Sequence, residues 1–181
     1  MIVFTHQYVT FRLDDETYAL DVGNAREIVE APRLTRMPNA PAWIRGVMNL
    51  RGSVVPVIDL KQKFDMGTTE ITRHSCVLLV EFMLNEEPFV IGVLVDAVLE
   101  VFELAPETIE PPPKFGARYS QKYLRGMGRR NNRVFVILDA DKVFSDTNAY
   151  VESGEEEALA AHTNQHSDKL GEKVEHGHAM V

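Results

Sequence analysis

The stretch WIRGVMNLRGSVVPVIDLKQKF, residues 43–64, decides the fold of this chain. It contains the turn signal Asn49-Leu50-Arg51-Gly52, and the apolar run Val54–Ile58 follows. Asn and Gly tolerate the positive φ of tight turns, so the stretch predicts a hairpin with a buried second strand and Arg51 on its tip. The run stops at Asp59, after which we expect a short helical turn, Leu60 to Phe64.

The same pattern returns eighty positions further along the chain. The matching residues are Ile44, Arg45, Gly46, Asp59 and Phe64 in the first copy, and Leu124, Arg125, Gly126, Asp139 and Phe144 in the second. A second internal similarity, offset by seventy-one positions, relates residues 14–22 to residues 85–93. One β-unit is therefore used twice, which predicts two related subdomains rather than an open solenoid of three or more units.

The composition of the chain disfavours several classes of partner. The chain has 181 residues, of which 45% are hydrophobic and 25% charged, an ordinary balance for a globular protein. Its formal net charge of -8 disfavours a nucleic-acid or anionic-membrane partner unless a local basic patch exists. From Tyr150 onward seven acidic residues stand against two lysines, so much of this charge lies in the C-terminal tail.

The number of cysteines and the length of the apolar runs indicate in which cellular compartment the protein is expected. Cys76 is the only cysteine, so an intramolecular disulfide is impossible, and its apolar neighbours predict a small buried side chain. The first residues lack the pattern of a signal peptide, and the apolar runs are too short to cross a bilayer. We therefore expect a soluble cytoplasmic protein without direct membrane insertion.

Short strands dominate the rest of the chain. Strands are predicted at residues 8–13, 18–22, 75–83, 89–95, 98–104 and 133–138. Residues 24–30 fit either a helix or a strand that ends before Pro32, and residues 140–144 form a second short helical segment. The fold class is thus all-β. The tail, 146–181, is expected to be mostly disordered, with a possible short helix at residues 155–162.

The quoted stretch also carries a family resemblance. IRGVMNLRGSVVPVIDL at residues 44–60 resembles the hallmark of CheW, the chemotaxis coupling protein family, and similar blocks lie at residues 11–28, 90–101 and 123–144. The resemblance implies a CheW-like domain over residues 7–145, built from two five-stranded barrels of the SH3 type about a pseudo-two-fold axis. We expect the first barrel to span residues 7–70 and the second residues 71–145.

The resemblance implies an adaptor, not an enzyme. Members of the family join the cytoplasmic tip of methyl-accepting chemoreceptors to the regulatory domain of the histidine kinase CheA, and support receptor arrays. The sequence shows neither the catalytic blocks of a kinase nor a receiver domain. Two alternatives are a similar scaffold in a non-motility pathway and a small β-barrel that binds nucleic acid; the latter requires a basic, aromatic-lined face.

The resemblance also implies a protein-binding site. Arg51 matches the family arginine needed for coupling, Glu27 and Ile28 match the strand that takes the receptor helix, and Gly46 matches another coupling position. The candidate binding residues are Ala25, Glu27, Ile28, Val29, Gly46, Asn49, Leu50, Arg51 and Gly52. On residue chemistry alone, Arg51 could be a solvated turn residue, Asn49 and Gly52 could only build the turn, and Ile28 and Val29 could be core.

Catalysis, cofactors and metals have little support in the sequence. Asp59 and Asp139 each end an apolar strand and are expected to cap the helix that follows rather than act in acid–base chemistry. No nucleophile–base pair and no phosphate-binding glycine loop is present, so no catalytic residue and no cofactor is assigned. The tail histidines include spacings found in metal sites, but an acidic, disordered segment favours adventitious binding. They are His162, His166, His176 and His178.

Overall fold

The fold is described from a computed structural model, which describes residues 6–112 and 122–147. Residues 1–145 form one compact unit; of a second unit, residues 146–181, only 146 and 147 are described. The predictions for the tail, including its helix and its histidines, lie outside the described residues.

Strands make up most of the first unit, as the sequence predicted. They are β1 (His6–Leu13), β2 (Glu16–Asp21), β3 (Ala25–Glu30), β4 (Ile44–Leu50), β5 (Ser53–Asp59), β6 (Cys76–Leu84), β7 (Glu87–Val95), β8 (Ala97–Leu104), β9 (Leu124–Arg130) and β10 (Arg133–Leu138). The helices are short: α1 (Leu60–Lys63), α2 (Ala140–Phe144) and 3-10 turns at Pro106–Thr108 and Ser145–Thr147. The ambiguous segment 24–30 contains a strand, β3, because it pairs antiparallel with β6.

The strands form two five-stranded sheets with the same internal order. Sheet A runs β8-β1-β2-β10-β9, and sheet B runs β3-β6-β7-β5-β4. Replacing each strand by the one five places away in the chain converts one order into the other. This confirms the internal repeat, in which β1–β5 and β6–β10 are the two copies.

The expected boundary between the barrels, at residues 70 and 71, is wrong. Each copy of the repeat gives two strands to one sheet and three to the other, so sheet A combines the N-terminal hairpin with β8, β9 and β10. The cause is long-range pairing: β8 adds to the free edge of β1, and β10 lies parallel to β2. Sheet B is continuous in sequence, from residue 25 to residue 95.

The repeat extends to individual backbone hydrogen bonds. The Asp59 amide donates to the Trp43 carbonyl at 2.8 Å, and the Asp139 amide donates to the Tyr123 carbonyl at 2.9 Å. Single bridges bring the segment after β3 to β4 (Thr35 with Val47) and the segment after β8 to β9 (Glu110 with Met127). In each sheet this bridge brings the two edges together, which is the closure that a small barrel requires.

Both aspartates cap helices, as predicted from the sequence. The Asp59 carboxylate accepts hydrogen bonds from the amides of Lys61 and Gln62, and that of Asp139 accepts one from the amide of Lys142. Their surroundings nevertheless differ. Asp59 is fully buried, whereas the side chain of Asp139 is 28% exposed.

Lys61 connects the two sheets. Its ammonium group contacts Asp14, on the turn between β1 and β2 of sheet A, at 2.5 Å, and Asp96, which follows β7 of sheet B, at 3.7 Å. Only 10% of the Lys61 side chain is exposed. The hydrogen bond to Asp14 is the main reason that the pKa of Lys61 is raised, with smaller contributions from Asp96 and Asp59 against the opposing effect of burial.

Tyr8 carries an unpaired polar group in the core of sheet A. The side chain is fully buried, in a cluster with Phe102 and Phe135, and its hydroxyl makes no hydrogen bond within the described ranges. Burial is the main cause that raises the pKa of Tyr8 above its ordinary value of 10.0. The folded state therefore favours the neutral hydroxyl, and the associated stability is complete below about pH 10 and is lost as the pH rises further.

We expect Tyr8→Phe to raise the free energy of unfolding by about 1 kcal/mol at neutral pH, because it removes a buried hydroxyl without a partner. The variant should also lose less stability than the wild type above pH 10.0. Urea denaturation at several pH values measures both effects. Tyr18→Phe is the control at neutral pH, since the Tyr18 hydroxyl contacts the Met66 sulfur at 3.7 Å and the ring is only half-buried. Above pH 10.0 both variants should lose less stability than the wild type, because burial raises the pKa of Tyr18 as well. A stability loss in Tyr8→Phe would contradict the expectation.

Candidate partner-binding site

The hairpin that the sequence predicted joins β4 to β5 through a two-residue turn. Leu50 pairs with Ser53, and the two residues between them have positive φ, 49° at Arg51 and 88° at Gly52. Two positive φ values characterise the hairpin turn that matches strand twist. Asn49 contributes differently from the expectation: it stays in the strand, and its side-chain oxygen accepts the Gly52 amide at 2.9 Å.

Arg51 forms an ion pair with Glu27. Its Nη2 atom lies 2.8 Å from Glu27 Oε1 and 2.9 Å from Oε2. The pair links the turn after β4 to β3, which lies at the opposite end of the strand order of sheet B. The Arg51 side chain is 72% exposed and that of Glu27 37%. An exposed pair of this kind contributes only about 0.2–1 kcal/mol to stability, so its main effect is to orient the guanidinium.

The ion pair leaves donors of Arg51 free for a partner. Only Nη2 is used, and Nε and Nη1 make no hydrogen bond within the part of the chain that the structure describes. A guanidinium offers a planar fork of donors that suits carboxylates and carbonyls. Apolar side chains on the two linked elements are exposed as well, Ile28 by 47% and Val54 by 71%. The surface thus combines charged and apolar groups.

Four of the candidate residues lie beneath the surface of the site, where they pack against the core or against a neighbouring backbone segment. Val29 and Leu50 pack against the core cluster of sheet B, and Ala25 packs against the larger core cluster. Gly46 is buried with φ of 149°, and a Cβ there would lie 2.4 Å from the Thr35 carbonyl oxygen. Among the nine candidates, Glu27, Ile28, Asn49, Arg51 and Gly52 keep appreciable exposure.

Two features of the site were missed by the sequence reasoning. The pairing of Arg51 with Glu27 was not expected, although both residues were candidates, because closure of sheet B brings them together. Val54 was placed in a buried run, yet only the first two residues of β5, Ser53 and Val54, are exposed and burial begins at Val55. The charged residues two positions on either side of Ile28, Arg26 and Glu30, were a signal that Ile28 lies on the exposed face of β3.

The described residues contain no group of three or more His, Cys, Asp or Glu side chains arranged to hold a metal ion. Within the same residues, no helix has the length and apolar character needed to span a membrane.

The fold and the exposed ion pair define a class: an all-β protein of two repeated five-stranded sheets with an exposed, charged hairpin tip. A family model described as "CheW-like domain" matches residues 7–148. The chain belongs to the CheW-like family.

Relatives of known name agree with this assignment. The chain is 34% identical to "Chemotaxis protein CheW" of Klebsiella aerogenes over 139 residues, which are 77% of this chain and 81% of the relative. It is 30% identical to the protein of the same name from Treponema pallidum, over 77% of this chain and 82% of the relative. It is also 30% identical to "Protein FrzA" of Myxococcus xanthus, over 67% of this chain and 72% of the relative.

A solved structure has the same fold. The scaffolding protein TtCheW from Thermoanaerobacter tengcongensis superposes with a TM-score of 0.69 at 30% sequence identity, covering 78% of this chain and 88% of that one.

Proposed function

We propose that the protein is a non-enzymatic chemotaxis scaffold. It couples the cytoplasmic tip of methyl-accepting chemoreceptors to the regulatory domain of the histidine kinase CheA, supports receptor arrays, and acts in the cytoplasm at the membrane-associated array. Family membership and the description of the solved relative as a scaffolding protein support this proposal. The observation that carries it is the exposed ion pair between Arg51, on the tip of the β4–β5 hairpin, and Glu27 of β3.

The mechanism uses two separate surfaces. An apolar groove at the barrel of sheet B receives a helix of the receptor, with Ile28 at its edge and Glu27 and Arg51 providing charged contacts. A barrel end packs against a similar barrel of the kinase. Each contact is of modest affinity, and the array supplies avidity because a scaffold held by one partner meets the other at a high effective concentration.

Exchanging the charges of Arg51 and Glu27 tests whether a partner contacts the arginine side chain directly. Arg51→Glu should weaken binding of the receptor-tip fragment or of the kinase regulatory domain by about tenfold or more, since buried interface arginines are frequent hot spots. The double variant Arg51→Glu, Glu27→Arg restores an ion pair of reversed polarity. We expect it to bind as weakly as the single variant. Calorimetric titration with each partner separately gives the dissociation constants.

Arg129→Glu is the matched control. Arg129 lies near the tip of the equivalent hairpin, is 63% exposed and faces Glu110 at 4.0 Å. Recovery of binding in the double variant would show that the ion pair acts by fixing the conformation of the hairpin. It would contradict the expectation that a partner contacts the Arg51 guanidinium directly. If the wild type bound neither partner at high micromolar concentration, the scaffold proposal itself would fail.

A second candidate is a scaffold of the same kind in a non-motility pathway. The relative named FrzA, which does not carry the name chemotaxis protein, is the observation that favours it. Titration with receptor and kinase fragments encoded beside the gene of this protein, compared with fragments from a motility pathway, separates the two candidates.

A further inference from the structure

A recess beside β4 lies away from the Arg51 tip. It has a volume of about 370 Å³ and is half open to solvent. Its walls are the segment before β4, which includes Arg36, Met37 and Pro41, and the end of α1 with the residues after it, which include Gln62 and Thr68. Arg45, from β4, also lines it. We call this the Arg36–Arg45 recess.

The charge of the recess is positive in an acidic protein. Two arginines and no carboxylate are among its described lining residues, whereas the whole chain carries a net charge of -8. The buried Asp59 carboxylate compensates the positive charge of Arg45. The Arg45 Nη1 atom donates to Asp59 at 2.9 Å and to the Thr69 carbonyl at 3.0 Å. Arg36 is exposed, and no ion pair to it is found within residues 6–112 and 122–147. One positive charge therefore remains uncompensated.

Polar atoms of the recess have unused hydrogen-bonding capacity. Gln62 Nε2 donates to the Thr68 hydroxyl at 2.5 Å, but Gln62 Oε1 is buried and has no partner in the described part of the chain. A buried acceptor without a donor costs about 1–3 kcal/mol. Because Gln62 lines the recess, rotation of its side-chain amide toward the opening would let an N–H group of a ligand recover this energy. Arg45 is a quarter exposed, and its Nε and Nη2 atoms make no hydrogen bond to a described residue.

The walls of the recess are preorganised. Thr35 and Val47 exchange two backbone hydrogen bonds of 2.9 and 2.8 Å, and the Ile44 amide donates to the Pro41 carbonyl at 2.9 Å. On the other side the Phe64 amide donates to the Leu60 carbonyl at 3.0 Å. A fixed site loses little conformational entropy when a ligand binds.

We propose that the Arg36–Arg45 recess binds an acidic side chain presented by a peptide segment of a partner protein. The carboxylate takes the free donors of the two guanidiniums, a backbone N–H of the segment donates to Gln62 Oε1, and the aliphatic part of the side chain packs on Met37 and Pro41. The half-open shape suits a protruding side chain better than an enclosed small molecule. The recess shares no lining residue with the proposed receptor-binding surface around Glu27, Ile28 and Arg51.

The test is an NMR titration of the ¹⁵N-labelled full chain with the peptide acetyl-Ala-Ala-Glu-Ala-Ala-amide. We expect saturable shifts of the Gln62 side-chain amide and of the Arg36 backbone amide. The same peptide with glutamine in place of glutamate should bind at least about fivefold more weakly, and so should the glutamate peptide to Arg36→Glu. Arg33→Glu, which changes an exposed arginine of the same segment outside the recess, should leave the affinity unchanged.

Three results would overturn the proposal. They are equal affinity for the glutamine peptide, an equal loss of affinity in Arg33→Glu, and binding of sodium acetate as tightly as the peptide, which would exclude a role for the peptide N–H. Neither receptor nor kinase is used in this titration, so its failure would leave the scaffold function untouched.

Discussion

Asp59→Asn should lower the free energy of unfolding by about 3 kcal/mol, because it removes one partner of a buried, hydrogen-bonded ion pair. The Asp59 carboxylate is fully buried and accepts from Arg45 at 2.9 Å, from the Thr69 amide at 2.9 Å and from the Thr69 hydroxyl at 2.8 Å. Asparagine has the same shape but no charge and one acceptor fewer. The Arg45 guanidinium would keep its position without a counter-charge.

The internal repeat supplies a control for this substitution. Asp139 is the equivalent residue, but its side chain is 28% exposed. Within the described residues it accepts the helix-capping bond from the Lys142 amide at 3.2 Å and makes one distant contact, with the Lys142 ammonium group. Asparagine caps helices about as well as aspartate, so Asp139→Asn should cost about 0.5 kcal/mol or less. Guanidinium chloride denaturation of both variants gives the comparison. Equal losses would show that capping, not the buried pair, determines the effect.

Gly46→Ala should also cost about 3 kcal/mol. A Cβ at this position would lie 2.4 Å from the Thr35 carbonyl oxygen, and φ is 149°. A side chain in this backbone region is strained by about 1–3 kcal/mol. Relief of the clash would break the two hydrogen bonds between Thr35 and Val47, each worth about 1 kcal/mol. Thermal and urea denaturation measure the loss.

Gly52→Ala separates the clash from the backbone strain. Gly52 also has positive φ, 88°, but a Cβ added there would have no described atom within 4 Å. Its substitution should therefore cost only about 1–2 kcal/mol of left-handed strain. Gly46 is one of the candidate binding residues, and its burial implies that it acts through the fold. Unchanged stability of Gly46→Ala together with lost partner binding would contradict this interpretation and make Gly46 a contact residue.

Local signals in the sequence were sufficient for the elements of the fold. The Asn49–Gly52 pattern predicted the hairpin, and its structural equivalent lies between β9 and β10. The strand-ending aspartates predicted both helix caps, and the offset of eighty positions predicted the repeat. The hairpin and the caps depend on residues a few positions apart, where turn conformation and capping act without help from the rest of the chain. The repeat was visible because both copies keep these local patterns.

The candidate site was only partly accessible from the sequence. The resemblance indicated Arg51, Glu27 and Ile28 but not which of the nine candidates are exposed. Gly46, Val29 and Leu50 carry no local signal that distinguishes a buried supporting role from a contact role. The distinction follows from packing against the Thr35 segment and the core of sheet B.

The sequence by itself determined the all-β class, the doubled unit, the hairpin tip and the capped helices. Only the tertiary structure decided which copy supplies which strand to each sheet, because edge strands such as β1 and β8 offer similar backbone hydrogen-bonding groups to any partner. It also decided the pairing of Arg51 with Glu27 and the convergence of Arg36, Arg45 and Gln62 on one recess. These contacts join residues distant in the chain, and the barrel closure that brings them together is a property of the whole packed domain.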